Sequence, residues 1–202
     1  MRILEPPAAS GLFLARDFLE APLCAAVREE AHASAGHPAP VYLEGEDGLV
    51  HESVRRTTSL EVSAATAADV ARRLRALRAE IGGHFGLSLG DCEPPQFLRY
   101  REGDFFVRHQ DGDAGQTEFD HLRVRKVSVV VFLNGGSDDD APGTFGGGEL
   151  LIYRAEGAAL PGPVVFPVKG EPGLLVAFRA DTLHEVTPVT RGERFTVVSW
   201  FG

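Results

Sequence analysis

The length and composition of the chain favour one globular domain. It has 202 residues, of which 44% are apolar, enough for a sizeable core. The formal net charge of −9 argues against a broad basic surface for nucleic acid, and two cysteines are too few for a disulfide framework. Residues 1–11 lack a signal-peptide pattern, and no apolar stretch has the length of a membrane span. We therefore expect a cytoplasmic protein with no membrane partner.

The first half of the chain is predicted to be mainly helical. Asp17 and Glu20 have the spacing of a capping box, which predicts a helix that starts at Asp17. Its apolar face would consist of Leu19, Leu23, Val27 and Ala31. A second helix is predicted over 66–85, with frayed glycines at its end. Its apolar stripe would consist of Val70, Leu74, Leu77 and Ile81.

Between the two helices, residues 36–56 are rich in glycine, proline and charge. This composition predicts a long loop. Long loops inside compact domains are often binding loops or lids, and the alternative is a disordered surface loop. Both interpretations stay open at this point.

After Asp91 the pattern changes to short, β-branched runs separated by turn residues. Eight strands are predicted, over 96–101, 105–110, 124–133, 149–153, 164–168, 174–178, 183–187 and 195–201. The pattern predicts a mainly β protein with flanking α-helices, built on a jelly roll. We expect one domain over 1–202, with 1–92 as helical support and loop region and 93–202 as the jelly-roll core.

The first candidate functional motif is His109-Gln110-Asp111. On a strand, residues i and i+2 point to the same side, so the imidazole and the carboxylate could hold one ion. His184, on a distant strand, would supply a third ligand. Two histidines and a carboxylate form the facial triad of non-haem Fe(II) oxygenases, but a zinc hydrolase could use similar ligands.

Arg194 follows His184 by ten residues, beyond a turn bracketed by Pro188 and Gly192. The chain would return antiparallel and bring the guanidinium close to the metal. There it could bind one end of a dicarboxylate whose other end chelates the ion. The alternative is a surface salt bridge, the role that we assign to Arg191.

Several segments, in order, resemble the prolyl 4-hydroxylase-like 2-oxoglutarate/Fe(II) oxygenases. Residues 98–111 resemble the family's tyrosine–glycine–aromatic–His-x-Asp stretch. Residues 125–134 resemble the next family strand, 147–150 its Gly-Gly-Glu-Leu turn, and 184–200 its closing block. Phe106 and Phe132 stand where relatives often have tyrosine.

The resemblance implies a double-stranded β-helix core with the N-terminal helices packed on one side. It implies Fe(II) as the metal, 2-oxoglutarate and O2 as co-substrates, and ascorbate as an accessory reductant. The implied metal ligands and catalytic residues are His109, Asp111 and His184. The implied 2-oxoglutarate contacts are Arg194, Tyr100 and Ser128.

The implied reaction is hydroxylation of an unactivated C–H bond. The leading substrate is a prolyl residue in a peptide or protein, and the second is a free amino acid or another small metabolite. A nucleic-acid substrate is disfavoured because Trp200 stands where that branch has a second arginine. A non-catalytic metal-binding jelly roll is the alternative from another class, and Arg194 argues against it. Substrate would enter at the barrel mouth, near the 36–56 loop and Arg55, Arg56 or Arg108.

Overall fold

A computed structural model of the protein describes residues 1–6, 10–43, 46–112, 124–154 and 164–202. Within these residues lie three helices, α1 (Ala21–Ala33), α2 (Ala64–Ala76) and α3 (Arg78–Phe85). The strands are β1 (Arg2–Leu4), β2 (Phe13–Arg16), β3 (His37–Pro38), β4 (Val41–Leu43), β5 (Glu46–Leu49), β6 (Arg55–Arg56), β7 (Thr58–Leu60), β8 (Gln96–Tyr100), β9 (Phe105–His109), β10 (Val127–Phe132), β11 (Gly146–Gly147), β12 (Leu150–Arg154), β13 (Val164–Val168), β14 (Leu175–Arg179), β15 (His184–Val186), β16 (Val189–Arg191) and β17 (Arg194–Phe201).

Two antiparallel sheets make up the jelly-roll core. The major sheet has the order β1-β2-β14-β10-β17-β8-β7-β3, and the minor sheet has the order β13-β12-β15-β9-β6. The predicted mainly β fold with flanking helices is confirmed, and each of the eight predicted strands has a counterpart. No helix in the described residues is long and apolar enough to cross a membrane.

The major sheet is covered on both faces, and β10 shows how. All six of its residues are buried. Val127, Val129 and Val131 pack in one core cluster with residues of the three helices. Val130 and Phe132, which point to the opposite face, pack against minor-sheet residues in a second cluster. The helices therefore support the sheet from outside, and the space between the sheets is left for the site.

The N-terminal segment differs from its prediction. Residues Phe13–Arg16 form a strand of the major sheet, and α1 begins at Ala21 after Glu20, which makes no side-chain cap. Asp17 lies in the turn between them with a φ of 53° and is not a helix cap. Residues 13–16 form a strand because they complete their backbone hydrogen bonds with β1 and β14. A local capping pattern cannot reveal this pairing.

The second predicted helix is divided in two. Leu77 ends α2 and precedes α3, and Gly86 closes α3 in the left-handed conformation with a φ of 65°. The predicted apolar stripe is confirmed as buried: Val70, Leu74, Leu77 and Ile81. Gly82 is buried inside α3, so only Gly86 has the predicted role at the helix end.

Residues 36–56 are not one long loop. They contain β3, the β4–β5 pair and β6, while residues 44 and 45 lie outside the described part. Strand β3 forms one edge of the major sheet and β6 forms one edge of the minor sheet, so this segment crosses from one sheet to the other. Residues 1–92 thus supply strands to both sheets, in addition to the helices predicted for them.

We predict that neither cysteine reacts with a thiol reagent in the native protein. Cys24 and Cys92 are buried and free. Burial raises the pKa of the Cys24 thiol to about 11, and it also raises the pKa of Cys92. The reactive thiolate is therefore scarce at neutral pH. Labelling with a chromogenic disulfide at pH 7.5 should be negligible before unfolding and reach both cysteines in denaturant. Rapid labelling of the native chain would contradict this.

Candidate active site

A cavity of about 350 Å³ lies between the two sheets. Five of the predicted site residues line it: His109, Asp111, His184, Arg194 and Tyr100. The jelly roll therefore brings together residues that lie far apart in the sequence. Ser128, the sixth predicted residue, is not in the cavity wall.

The three predicted metal ligands converge at one end of this cavity. One potential ligand atom from each of His109, Asp111 and His184 lies within 4.8 Å of the others. No other group of three such residues occurs in the described parts of the chain. Nε2 of His109 is 3.5 Å from Oδ1 of Asp111, and Nε2 of His184 is 3.5 Å from Oδ2. This arrangement fits a divalent cation held by two imidazoles and a carboxylate.

The two histidines meet because their strands pair. Strands β9 and β15 are antiparallel, and His109 and His184 are direct partners across them. The register shifts between His184 and Val186, where β9 has an additional residue. Such a bulge changes the side to which the following side chain points. It explains how Phe106 and His109, three residues apart, stack with ring centroids 3.5 Å apart.

Asp111 does not lie on the same strand as His109, contrary to the prediction. Strand β9 ends at His109, and the chain bends beyond it. The backbone N–H of Asp111 donates to the carbonyl of Ala180 at 3.0 Å. Its carboxylate accepts a hydrogen bond from the Ser128 hydroxyl at 2.7 Å. These two bonds position the carboxylate in place of regular strand geometry.

Backbone carbonyls select the tautomer of both histidines. Nδ1 of His109 lies 2.8 Å from the carbonyl of Val107, and Nδ1 of His184 lies 2.9 Å from that of Thr182. Because a carbonyl only accepts, each Nδ1 carries the proton and each Nε2 keeps its lone pair for a metal. Both Nε2 atoms face Asp111, as metal ligands should.

The electrostatics favour a neutral His184 and an ionised Asp111. Burial, and next the neighbouring His109, lower the pKa of His184 to about 4, against the opposing effect of Asp111. Burial disfavours the charge on Asp111, but His184, His109 and the Ser128 hydroxyl outweigh it and hold the pKa of that carboxyl well below its usual value. Metal binding requires these protonation states.

Arg194 is a buried cation with no anionic partner among the described residues. The residue is 1% exposed, and its Nε has no hydrogen-bond partner in the same part of the chain. Its guanidinium lies 5.0 Å from the ring centroids of Tyr100 and Phe132, and Nη1 lies 3.4 Å from the hydroxyl of Thr196. Burial lowers its pKa to about 10, so it stays charged at neutral pH. A buried charge without a partner is costly, which fits a site for an anionic ligand.

Ser128 has a different position from the predicted one. Its hydroxyl contacts Asp111 and does not line the cavity that holds Arg194. By contrast, Tyr100 is the direct cross-strand partner of Arg194. The resemblance implied a contact of Ser128 with 2-oxoglutarate, and in the structure the hydroxyl donates to Asp111 instead.

Sequence reasoning missed Arg125, which also lines the cavity. It forms a two-pronged ion pair with Glu93, at 2.5 and 2.7 Å, and lies 3.8 Å above the ring of Trp200. Its Nη1 lies 3.4 Å from the backbone carbonyl of Asp111. No spacing along the chain signals this arrangement, because it joins a loop residue to Glu93 in another loop and to Trp200 on β17.

Of the three arginines predicted near the mouth, only Arg55 lines the cavity. Arg56 lies over Phe105, and Arg108 lies over Tyr153 on the outside of the minor sheet. Arg108 therefore points away from the site, to the side of β9 opposite that of His109. Arg191 forms an ion pair with Asp140 at 3.0 Å, the surface role predicted for it.

Several curated proteins are similar to the second half of the chain. A PKHD-type hydroxylase of Paracoccus denitrificans is 38% identical over 108 residues, 53% of this chain and 42% of that protein. A PKHD-type hydroxylase of Burkholderia ambifaria is 39% identical over 108 residues, 53% of this chain and 41% of that protein. The chain thus spans less than half the length of the curated relatives that it matches.

Solved structures match nearly the whole chain. A prolyl-4-hydroxylase of Pseudomonas putida aligns with a TM-score of 0.70 and 27% identity over 96% of this chain and 93% of that one. A prolyl hydroxylase of Trichoplax adhaerens, solved with a peptide of hypoxia inducible factor, aligns with a TM-score of 0.71 over 95% of this chain and 83% of that one. Its identity is 16%, so this second likeness shows the fold alone.

We predict that Ser128→Ala weakens metal binding without unfolding the chain. The variant loses the hydrogen bond that orients Asp111, and the loss of such outer contacts costs about 10- to 100-fold in metal affinity. Mn(II) titration followed by electron paramagnetic resonance measures this. Ser199→Ala is the matched control, because Ser199 is buried on the neighbouring strand and donates to Glu93 instead. Equal Mn(II) affinity in both variants would show that Ser128 does not support the ligand.

A family model described as the 2OG-Fe(II) oxygenase superfamily matches residues 95–202, just over half of the chain. The matched range contains the three candidate metal ligands and Arg194, and the geometry of these residues fits a metal and an anionic co-substrate. The chain therefore belongs to the 2OG-Fe(II) oxygenase superfamily and carries an oxygenase domain, for which Fe(II) and 2-oxoglutarate are the metal and the co-substrate.

Proposed function

We propose that the chain hydroxylates a prolyl residue in a peptide or protein, with Fe(II) held by His109, Asp111 and His184. One observation carries the proposal: the buried guanidinium of Arg194, which has no anionic partner in the described parts of the chain, lines the same cavity as three convergent metal ligands. The prolyl part rests on the names of similar proteins, a prolyl-4-hydroxylase among them.

Different residues of the site would bind the metal and the co-substrate. Nε2 of each histidine and one oxygen of Asp111 would hold the metal. Arg194 would pair with the far carboxylate of 2-oxoglutarate through its planar donors, and Tyr100 beside it would donate a further hydrogen bond. When bound, the iron and 2-oxoglutarate supply the oxidising chemistry.

The surrounding side chains keep the metal ligands in place and limit the access of water. Phe106 stacks on His109, and Phe178 lies 4.7 Å from His184 between ring centroids. Leu150 and Val186 add apolar wall. A dry, rigid pocket strengthens charge interactions and protects reactive species.

The substrate part that enters must be small. A cavity of about 350 Å³ is at the lower end of ligand pockets, and 2-oxoglutarate takes part of it. It suits a single prolyl ring presented by a peptide. The same volume also suits the second candidate substrate, a free amino acid or another small metabolite.

We also propose that nucleic acid is not a partner. The chain has a net charge of −9, and Trp200 is buried under Arg125 at the position where the nucleic-acid branch has a second arginine. Phosphate backbones need a cationic surface, which this charge balance does not favour.

Hydroxylation is tested with Fe(II), 2-oxoglutarate, ascorbate and a library of prolyl peptides and free amino acids. We expect succinate to form together with a product that carries one additional oxygen atom on a proline ring. His109→Ala and Asp111→Ala should abolish both without loss of fold, measured by circular dichroism. Product formation by either variant would refute the metal assignment, whereas oxidation confined to a non-prolyl compound would refute only the substrate.

We predict that Arg194→Gln lowers 2-oxoglutarate affinity by about 100-fold or more, because two charge-assisted hydrogen bonds are lost. The ligand-free variant should be as stable as the wild type or more so, since it lacks an unpaired buried charge. Calorimetric titration of the Mn(II)-loaded chain and thermal melting measure the two effects. Arg191→Gln, three residues earlier in the chain but paired with Asp140 at the surface, should change neither. Unchanged affinity in Arg194→Gln would require another anchor.

A further inference from the structure

The cavity wall has an excess of cations in an acidic chain. Its described lining contains three arginines, Arg55, Arg125 and Arg194, and one acid, Asp111, although the whole chain has a net charge of −9. Asp111 faces the candidate metal, and Arg194 faces the co-substrate. Arg125 is already neutralised by its ion pair with Glu93. Arg55 is the remaining charged residue of the cavity wall, and it serves neither the metal nor the co-substrate.

Arg55 lies close to the reacting end of the cavity. It is on β6, directly opposite Phe106 on β9. Its guanidinium carbon is 4.8 Å from the centroid of the Phe106 ring, and that ring stacks on His109. The cation and a metal ligand thus contact the same aromatic ring.

Most of the donors of Arg55 have no partner among the described residues. Its Nη1 donates to the carbonyl of Pro40 at 3.0 Å, and its Nε is buried without a partner in this part of the chain. A guanidinium has five N–H donors, and no acid in the described part of the chain forms an ion pair with this one. The Pro40 carbonyl and the Phe106 ring hold the planar group in a fixed orientation, which lowers the entropy cost of binding an anion.

We propose that Arg55 binds a carboxylate of the substrate, so that this oxygenase selects a substrate with a negative charge near the group that it oxidises. The proposal rests on the proposed function and specifies its substrate class. Arg55 is on the minor sheet and Arg194 is on the major sheet, so the two cations serve opposite walls. The carboxylate belongs to a free amino acid or to an acidic residue beside the proline of a peptide.

Paired probes that differ only in this charge test the proposal. The chain is loaded with Mn(II) and 2-oxoglutarate without oxygen, and binding is measured by calorimetry. The pairs are L-proline with L-prolinamide, and a blocked peptide containing Pro-Glu with its Pro-Gln counterpart. We expect the acid of one pair to bind about 10- to 100-fold more tightly than the amide, the range for a charge-assisted hydrogen bond. The pair that discriminates identifies the source of the carboxylate.

Arg55→Gln should abolish the preference for the acid, and Arg55→Lys should keep part of it because the charge remains. Arg56→Gln is the matched control. Arg56 is the next residue on β6, but it is exposed, lies over Phe105 and does not line the cavity. It should keep the full preference. Circular dichroism of each variant shows whether the fold is kept. The partial preference expected of Arg55→Lys shows that the charge, and not the fold alone, determines binding.

Three results would overturn the proposal. Acids and amides could bind equally, or not at all, in both pairs. Arg55→Gln could keep the preference. It could also weaken 2-oxoglutarate binding as much as acid binding, which would make Arg55 a co-substrate anchor.

The same pairs of acid and amide, built on alanine instead of proline, separate this proposal from the proposed prolyl substrate. Alanine acids that bind as tightly as proline acids, with the same dependence on Arg55, would refute the prolyl substrate and leave the carboxylate inference standing.

Discussion

The pairing of β9 with β15 is the constraint on which the site depends. It makes His109 and His184 direct partners, although 75 positions separate them in the sequence. A slip of one residue would turn one imidazole to the other face of the sheet. The bulge in the same pairing brings Phe106 beneath His109 and, through Phe106, links Arg55 to the metal ligands. One local irregularity thus aligns the metal site with the proposed substrate contact.

The opposite wall derives its rigidity from burial on both sides. On β10, Val127, Val129 and Val131 pack against the helices and Val130 and Phe132 pack on the opposite face, so the strand that carries Ser128 cannot shift without disturbing both clusters. Arg194 is enclosed in the same way. A Cβ on Gly148, which has a φ of 58°, would come within 3.0 Å of its Cδ. The Gly-Gly turn therefore makes room for the cation as well as turning the chain, and the site rests on rigid elements.

The site residues could be predicted from the sequence better than the contacts between segments that lie far apart in the chain. His109, Asp111, His184 and Arg194 could be identified because chemical type and spacing are both visible in a chain. The first strands and the short strands of 36–56 could not, because strands of two to four residues exist only through partners elsewhere. The contact of Ser128 with Asp111 and the ion pair of Arg125 with Glu93 were missed for the same reason. Each joins residues that no local pattern relates.

The segment that carries Arg55 also ends both sheets. Its strands β3 and β6 are the outermost strands on one side of the jelly roll, and each has two residues. Such short edges offer few free backbone groups to another chain, which protects a β protein from aggregation. The proposed substrate contact and the protection of the sheet edges therefore lie in the same stretch of sequence. A variant that exchanges this stretch for that of a relative, to change the substrate, would also replace the protection of the sheet edges.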